Sequence, residues 1–171
     1  MRNRPLHLLL ASRSGVAAAE MALVTPLIIA FMFGTFEIGN YFYSEHVVAT
    51  AVRDGARYAS RHSFSDFPCG SAIGGTVVPD TQNITATGAI SGGVQRLAGW
   101  TNPATSVSVT FACDTTNASA GSGIYTGQTG GVRVVTVAAT VNYTSLFYRV
   151  GLSNADTLKL YAQSQAAVVG I

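Results

Sequence analysis

The chain has 171 residues and a net charge of +2, and it is 48% hydrophobic but only 11% charged. That length suits one small domain plus an anchor, with charge well below the quarter usual in soluble domains. From Ser63 onward Arg96, Arg133, Arg149 and Lys159 balance Asp66, Asp80, Asp114 and Asp156, so an electrostatic basis for nucleic-acid binding is missing.

The leading segment, residues 1–15, contains Arg2, Arg4 and Arg13 and no acid. Its apolar LLL is too short for the core of a conventional secretory signal. Gly15 ends it, and four small residues lead to Glu20 and then to Met21 to Phe36 without a charge. Counted from Val16, the apolar run is about 21 residues long, interrupted only by Glu20, and a bilayer requires about 20. We expect a transmembrane helix over 16–38. Arginines confined to the leader place the N-terminus in the cytoplasm and the C-terminus outside.

Gly15 followed by small residues and a glutamate resembles the processing site of type IV prepilins. There a membrane peptidase cuts after the glycine and leaves the apolar helix attached. Cutting here would make Val16 the new N-terminus. A carboxylate at the centre of a span costs roughly 3 kcal/mol, so Glu20 has two readings. It snorkels to the cytoplasmic interface, or it faces the positive end of the helix and pairs with the amine of Val16 or of a neighbouring subunit.

Pro26 sits inside the span, where a gentle kink is tolerated. Ala30 and Gly34 form a small-xxx-small pair that lets another helix approach closely. Phe31, Phe33, Phe36, Tyr41, Phe42 and Tyr43 crowd the exit as an interfacial aromatic belt.

Beyond the span, Ile38, Tyr41, Phe42, Val48, Ala49, Val52, Ala56 and Ala59 recur at three- and four-residue steps, one face of an amphipathic helix. This second helical stretch covers 39–62. Arg53, Arg57 and Arg61 recur at every fourth position and form a basic stripe. It reads as a solvated face with a local Asp54–Arg57 pair, or as a partner contact.

Taken together, Gly15-x4-Glu20, ALVTP at Ala22 to Pro26, the aromatic exit and AVRDGARYA at Ala51 to Ala59 resemble the TadE-like family. Its members are minor pilins or pseudopilins of the tight-adherence (Flp) pilus assembly system. The resemblance is close over Gly15 to about Ser60. One departure is Met21, where the family usually carries an aromatic residue. Membership implies a prepilin peptidase, other pilins and an assembly platform as partners, alongside the bilayer itself. It also implies a single-pass protein of the inner membrane.

The outer region, 63–171, reads as a small α+β domain. Ser63 to Pro79 is a Gly/Ser/Pro-rich connection containing Cys69. Gln82 to Leu97 has apolar residues near helical spacing, weakened by Gly88, Gly92 and Gly93. Thr105 to Cys113 alternates, with Val107, Val109, Phe111 and Cys113 on one face. Asp114 to Gly131 is a polar, glycine-rich loop.

Val132 to Tyr143 alternates again, with Val135, Val137, Ala139, Val141 and Tyr143 inward. Thr157 to Val168 puts Leu158, Leu160, Ala162, Ala166 and Val168 on one side. The apolar loop between these strands, residues 145–156, marks a contact site or packs under the sheet. Three or four antiparallel strands packed on the helix are expected.

Cys69 and Cys113 both fall outside the membrane, where such a pair usually forms a disulfide; two free buried thiols are the alternative. Catalytic motifs are missing: there is no G-x-S-x-G, Walker loop, HExxH or dinucleotide fingerprint. His7, His46 and His62 lie away from any candidate nucleophile. No cofactor, metal or small-molecule substrate is expected, and the protein reads as a non-enzyme. The competing reading to a pseudopilin is a permanently anchored binding module, and processing at Gly15 separates the two.

Overall fold

The computed structural model describes residues 13–116, 121–147 and 158–170. The basic leader positions Arg2 and Arg4, and Tyr148 to Thr157 in the apolar loop, lie outside the described residues. The chain divides into two compact units between Gly39 and Asn40. Among the described residues the architecture is α+β: one long α-helix, two short ones and a three-stranded antiparallel sheet.

Helix α1 runs Arg13–Ser60 and includes Pro26. In the first unit its side chains from Gly15 to Phe36 are all exposed. Leu23 is 78% exposed and Phe31 69%, which leaves the most apolar part of the chain without protein cover. Thr25 donates its hydroxyl to the carbonyl of Met21 at 2.6 Å, and Thr35 does the same to Phe31 at 2.8 Å. Bonds of this kind satisfy threonine hydroxyls within an apolar helix and bend it slightly.

In the second unit α1 has a true inner face. Ser44, Val48, Ala51, Val52, Ala56 and Ala59 are buried there. Ile38 and Phe42, expected on that face, are instead 59% and 62% exposed. The apolar stripe drifts because the inner face is chosen by small size more than by hydropathy. Gly55 shows why: a Cβ there would run into the Thr85 hydroxyl and reach Val137 Cγ1 at 3.4 Å.

Helix α2 spans Val77–Thr87, so it begins five residues before the expected Gln82 and ends well short of Leu97. Pro79 does not oppose this, because the first turn's N–H groups have no partner inside the helix. The stop is Gly88, whose φ of 82° is left-handed and whose N–H bonds the Ile84 carbonyl at 2.8 Å. A one-turn helix α3, Pro103–Ser106, is capped by Asn102, which accepts from the Ala104 N–H.

Strands β1 (Val107–Asp114), β2 (Val132–Asn142) and β3 (Lys159–Ala167) pair in the order β1-β2-β3, all antiparallel. Val109 faces Val137, Phe111 faces Val135 and Val141 faces Leu160. The expected inward residues of β2 are all buried, whereas Leu158 at the start of β3 is 53% exposed. One core joins Val48, Val52 and Ala56 of α1 to Val137, Ala139 and Val141 of β2, with Trp100 fully buried among them. A second gathers Ala59, Phe67, Val77, Val135 and Val168. Each fully buried valine contributes about 2 kcal/mol by removing apolar surface from water.

Candidate functional site

The residues singled out for processing and assembly lie on the first unit. Gly15, Val16 and Glu20 are helical and exposed. Val16 and Glu20 are four residues apart, one turn on the same side of the helix. Ala30 and Gly34 are also one turn apart and exposed, and a Cβ placed on Gly34 would meet nothing within 4 Å. That side of the helix is therefore open to close approach by another backbone.

The basic stripe lies on the outer side of α1. Arg53, Arg57 and Arg61 are exposed. The expected Asp54–Arg57 pair is replaced: Asp54 Oδ2 accepts from Arg96 Nη1 at 2.9 Å. Arg96 also lends Nη2 to the Ile84 carbonyl at 3.5 Å, and its own N–H bonds Ala86 O at 3.0 Å. It thereby closes the C-terminal end of α2 against α1, with a favourable charge for that helix end. With Asp54 taken by Arg96, Arg57 stays solvated beside Arg53 and Arg61.

Cys69 and Cys113 form a disulfide with a Cα–Cα distance of 6.0 Å. Beside it lies a residue that the chain pattern did not single out. Arg133 is only 5% exposed. Its Nε donates to Phe67 O at 2.8 Å, Nη2 to Thr129 O at 3.0 Å and Nη1 to Gly131 O at 3.4 Å, with its guanidinium 5.3 Å from the centre of the Phe64 ring. Burying a charge is tolerable when its donors are satisfied and an aromatic face lies against it. The signal was present, because Arg133 shares its strand parity with inward-facing Val135.

At the other end of the second unit Asn40 Nδ2 donates to Tyr143 Oη at 2.9 Å and to Thr144 O at 3.3 Å. Tyr41, expected in the aromatic belt, packs edge-on against Tyr143 with ring centres 5.3 Å apart. It belongs to the core margin, whereas Phe42 and Tyr43 remain exposed. Asn40, Tyr43, Ser44, Leu97, Asn142 and Ser145 border a shallow cleft of about 350 Å³.

The titratable groups are sparse. Tyr58, whose hydroxyl is 3.5 Å from Asp80 Oδ2, has its pKa raised by burial and then by that carboxylate. His62 Nδ1 is 3.5 Å from Asp66 Oδ2, a local pair at the end of α1. Among the described residues no group of three His, Cys, Asp or Glu side chains is placed to hold a metal ion.

A family model described as TadE-like protein matches residues 15–57. This segment is similar to that family. The match opens at Gly15 and takes in the apolar stretch, Glu20, Ala30, Gly34, Arg53 and Arg57. It closes at Arg57, inside the last turn of α1. No curated protein and no solved structure matches the chain significantly. The TadE-like segment and the long apolar helix together fit a membrane-anchored, pilus-associated protein.

Proposed function

We propose that this protein is a TadE-like pseudopilin, cut after Gly15, that takes part in assembling a tight-adherence (Flp-type) pilus or a related secretion filament. The observation carrying this reading is the match of a pilus-associated family to the stretch that opens at Gly15, where an exposed apolar helix presents Glu20 one turn after Val16. The helix sits in the cytoplasmic (inner) membrane with the arginine-rich leader inside and residues 63–171 outside. A prepilin peptidase removes residues 1–15. Glu20 then offsets the freed amine of Val16 or of a neighbouring subunit, an interaction strengthened by low dielectric. Ala30 and Gly34 admit the neighbouring helix, and Arg53, Arg57 and Arg61 offer an exposed basic row to other pilins or the assembly platform.

Mass determination of the protein extracted from membranes tests the reading. A chain starting at Val16 is expected, and replacing Gly15 with a bulky residue should leave the full-length precursor. Glu20→Ala should be cut normally yet fail to assemble. An intact leader in the wild-type protein would instead identify a permanently anchored binding module.

A further inference from the structure

The outer domain leaves its apolar side chains unevenly covered. At the Asn40 end of the second unit, Phe42 is 62% exposed, Tyr43 66%, Leu146 54% and Leu158 53%. Lys159 is exposed next to them along the chain. These residues come from two distant stretches that the fold fastens to one place. Asn40 holds Tyr143 and Thr144, and the Tyr143 N–H bonds the Leu158 carbonyl at 2.9 Å. Both ends of the β2–β3 connection are therefore tied beside the first residues of the second unit.

Chain length fixes how far that place can lie from the apolar run. Asn40 follows Phe36 by four residues, a reach of at most about 14 Å in any conformation. The polar layer on each side of a bilayer is about 5–8 Å deep. Within the second unit, Asn40 and Ser60 are separated by about 30 Å of helix. Phe64, Tyr125 and the Val169–Ser60 hydrogen bond belong to that far end.

We propose that Phe42, Tyr43, Leu158 and Lys159, with Leu146, form a lipid-contact surface that rests in the headgroup layer of the same membrane. The chemistry suits that layer. Tyrosine prefers the interface, phenylalanine and leucine enter the acyl boundary, and lysine reaches anionic headgroups while its stem stays in apolar surroundings. Lipid is favoured over a second protein because Phe42 and Tyr43 follow the apolar run within seven residues of Phe36. This inference rests on the membrane-spanning reading of residues 16–38.

Tryptophan fluorescence of the full chain tests it, in vesicles of phosphatidylcholine and phosphatidylglycerol that carry bromine near the glycerol backbone. Leu158→Trp places the probe on the surface. Ile124→Trp, at a position 55% exposed, is the matched control at the far end. The native Trp100 is fully buried and provides a common background. An intact Cys69–Cys113 disulfide on non-reducing gels certifies the fold of each variant.

Quenching of Leu158→Trp should exceed that of Ile124→Trp several-fold. Equal quenching of the two would overturn the lipid surface, including the case where a second copy of the chain covers it. Ile29→Trp with lipids brominated deep in the acyl chain separates the two levels of inference. If that probe is quenched while Leu158→Trp is not, only the surface fails; if it is not quenched, the span and the surface fall together.

Discussion

Helix α1 puts two environments on one element. From Gly15 to Phe36 its side chains are mostly apolar and all exposed, whereas from Ser44 to Ser60 the buried positions are mostly small. Hydropathy alone would rank the first stretch as the better core. The comparison teaches that burial inside a protein follows complementarity of size, and exposed hydropathy marks where another solvent is required. Leu23 and Phe31 are largely exposed, while Ala51 and Ala56 are buried and Gly55 has no room for a Cβ against Thr85.

The sharpest way to break this contrast is to remove the staple from the second region. Replacing Cys69 and Cys113 with serine opens a loop with a sequence separation of 44. The chain-entropy account gives a loss of up to about 4 kcal/mol, read from denaturant unfolding of the outer domain in detergent. The apolar stretch before Gly39 should keep its helical signal in circular dichroism.

Changing the size of one inner residue comes next. Gly55→Val should destabilise the second region by about 1–3 kcal/mol, since its side chain has no room against Thr85. Pairing Gly55→Ala with Thr85→Ala should recover most of the loss of Gly55→Ala alone. The same type of change at Gly34, where nothing lies within 4 Å, should leave the thermal midpoint in detergent unchanged.

Arginine substitutions sharpen the comparison further. Arg96→Met removes the ion pair to Asp54 and the closure of α2, with an expected loss of about 1 kcal/mol or less for a partly exposed pair. Arg57→Met should fall within about 0.5 kcal/mol of wild type. A loss at Arg57 equal to that at Arg96 would return the local pair to the account.

The smallest effect is at alkaline pH. Tyr58 is protonated more tightly when folded than its ordinary value of 10.0, so its stabilising contribution is present below that pH and is lost as pH rises through the raised value. Thermal melts of wild type above pH 10 should fall more steeply than those of Tyr58→Phe.

Much of this was legible from residue order. Alternation in Val132 to Tyr143 is a direct image of a half-buried strand, and the two cysteines had only each other. The start of α2 was hidden because Pro79 and the glycines before it are loop-forming in isolation, and only the position of proline in the first turn makes it harmless. Asp54 was assigned to Arg57 because sequence shows neighbours within one helix, whereas Arg96 arrives from 42 residues away. Tyr41 looked like its aromatic neighbours until Tyr143 supplied a partner from the sheet. Glu20 differs in kind: its chemistry depends on an amine that cutting would create, so the folded chain alone carries only its position.

The hydrogen bond from Val169 N to Ser60 O, together with that from Val168 N to Arg133 O, ties the last described residues to the end of α1. Synthesis runs from the N-terminus, so β3, which completes the sheet, leaves the ribosome after β1 and β2. Contacts across such separations make folding slow relative to helix formation. Both cysteines are available before β3 exists, and the staple can therefore close on an unfinished sheet. A premature stop between Asn142 and Lys159 would yield a long helix with an open β2 edge, a substrate for quality-control proteases in place of a smaller working domain.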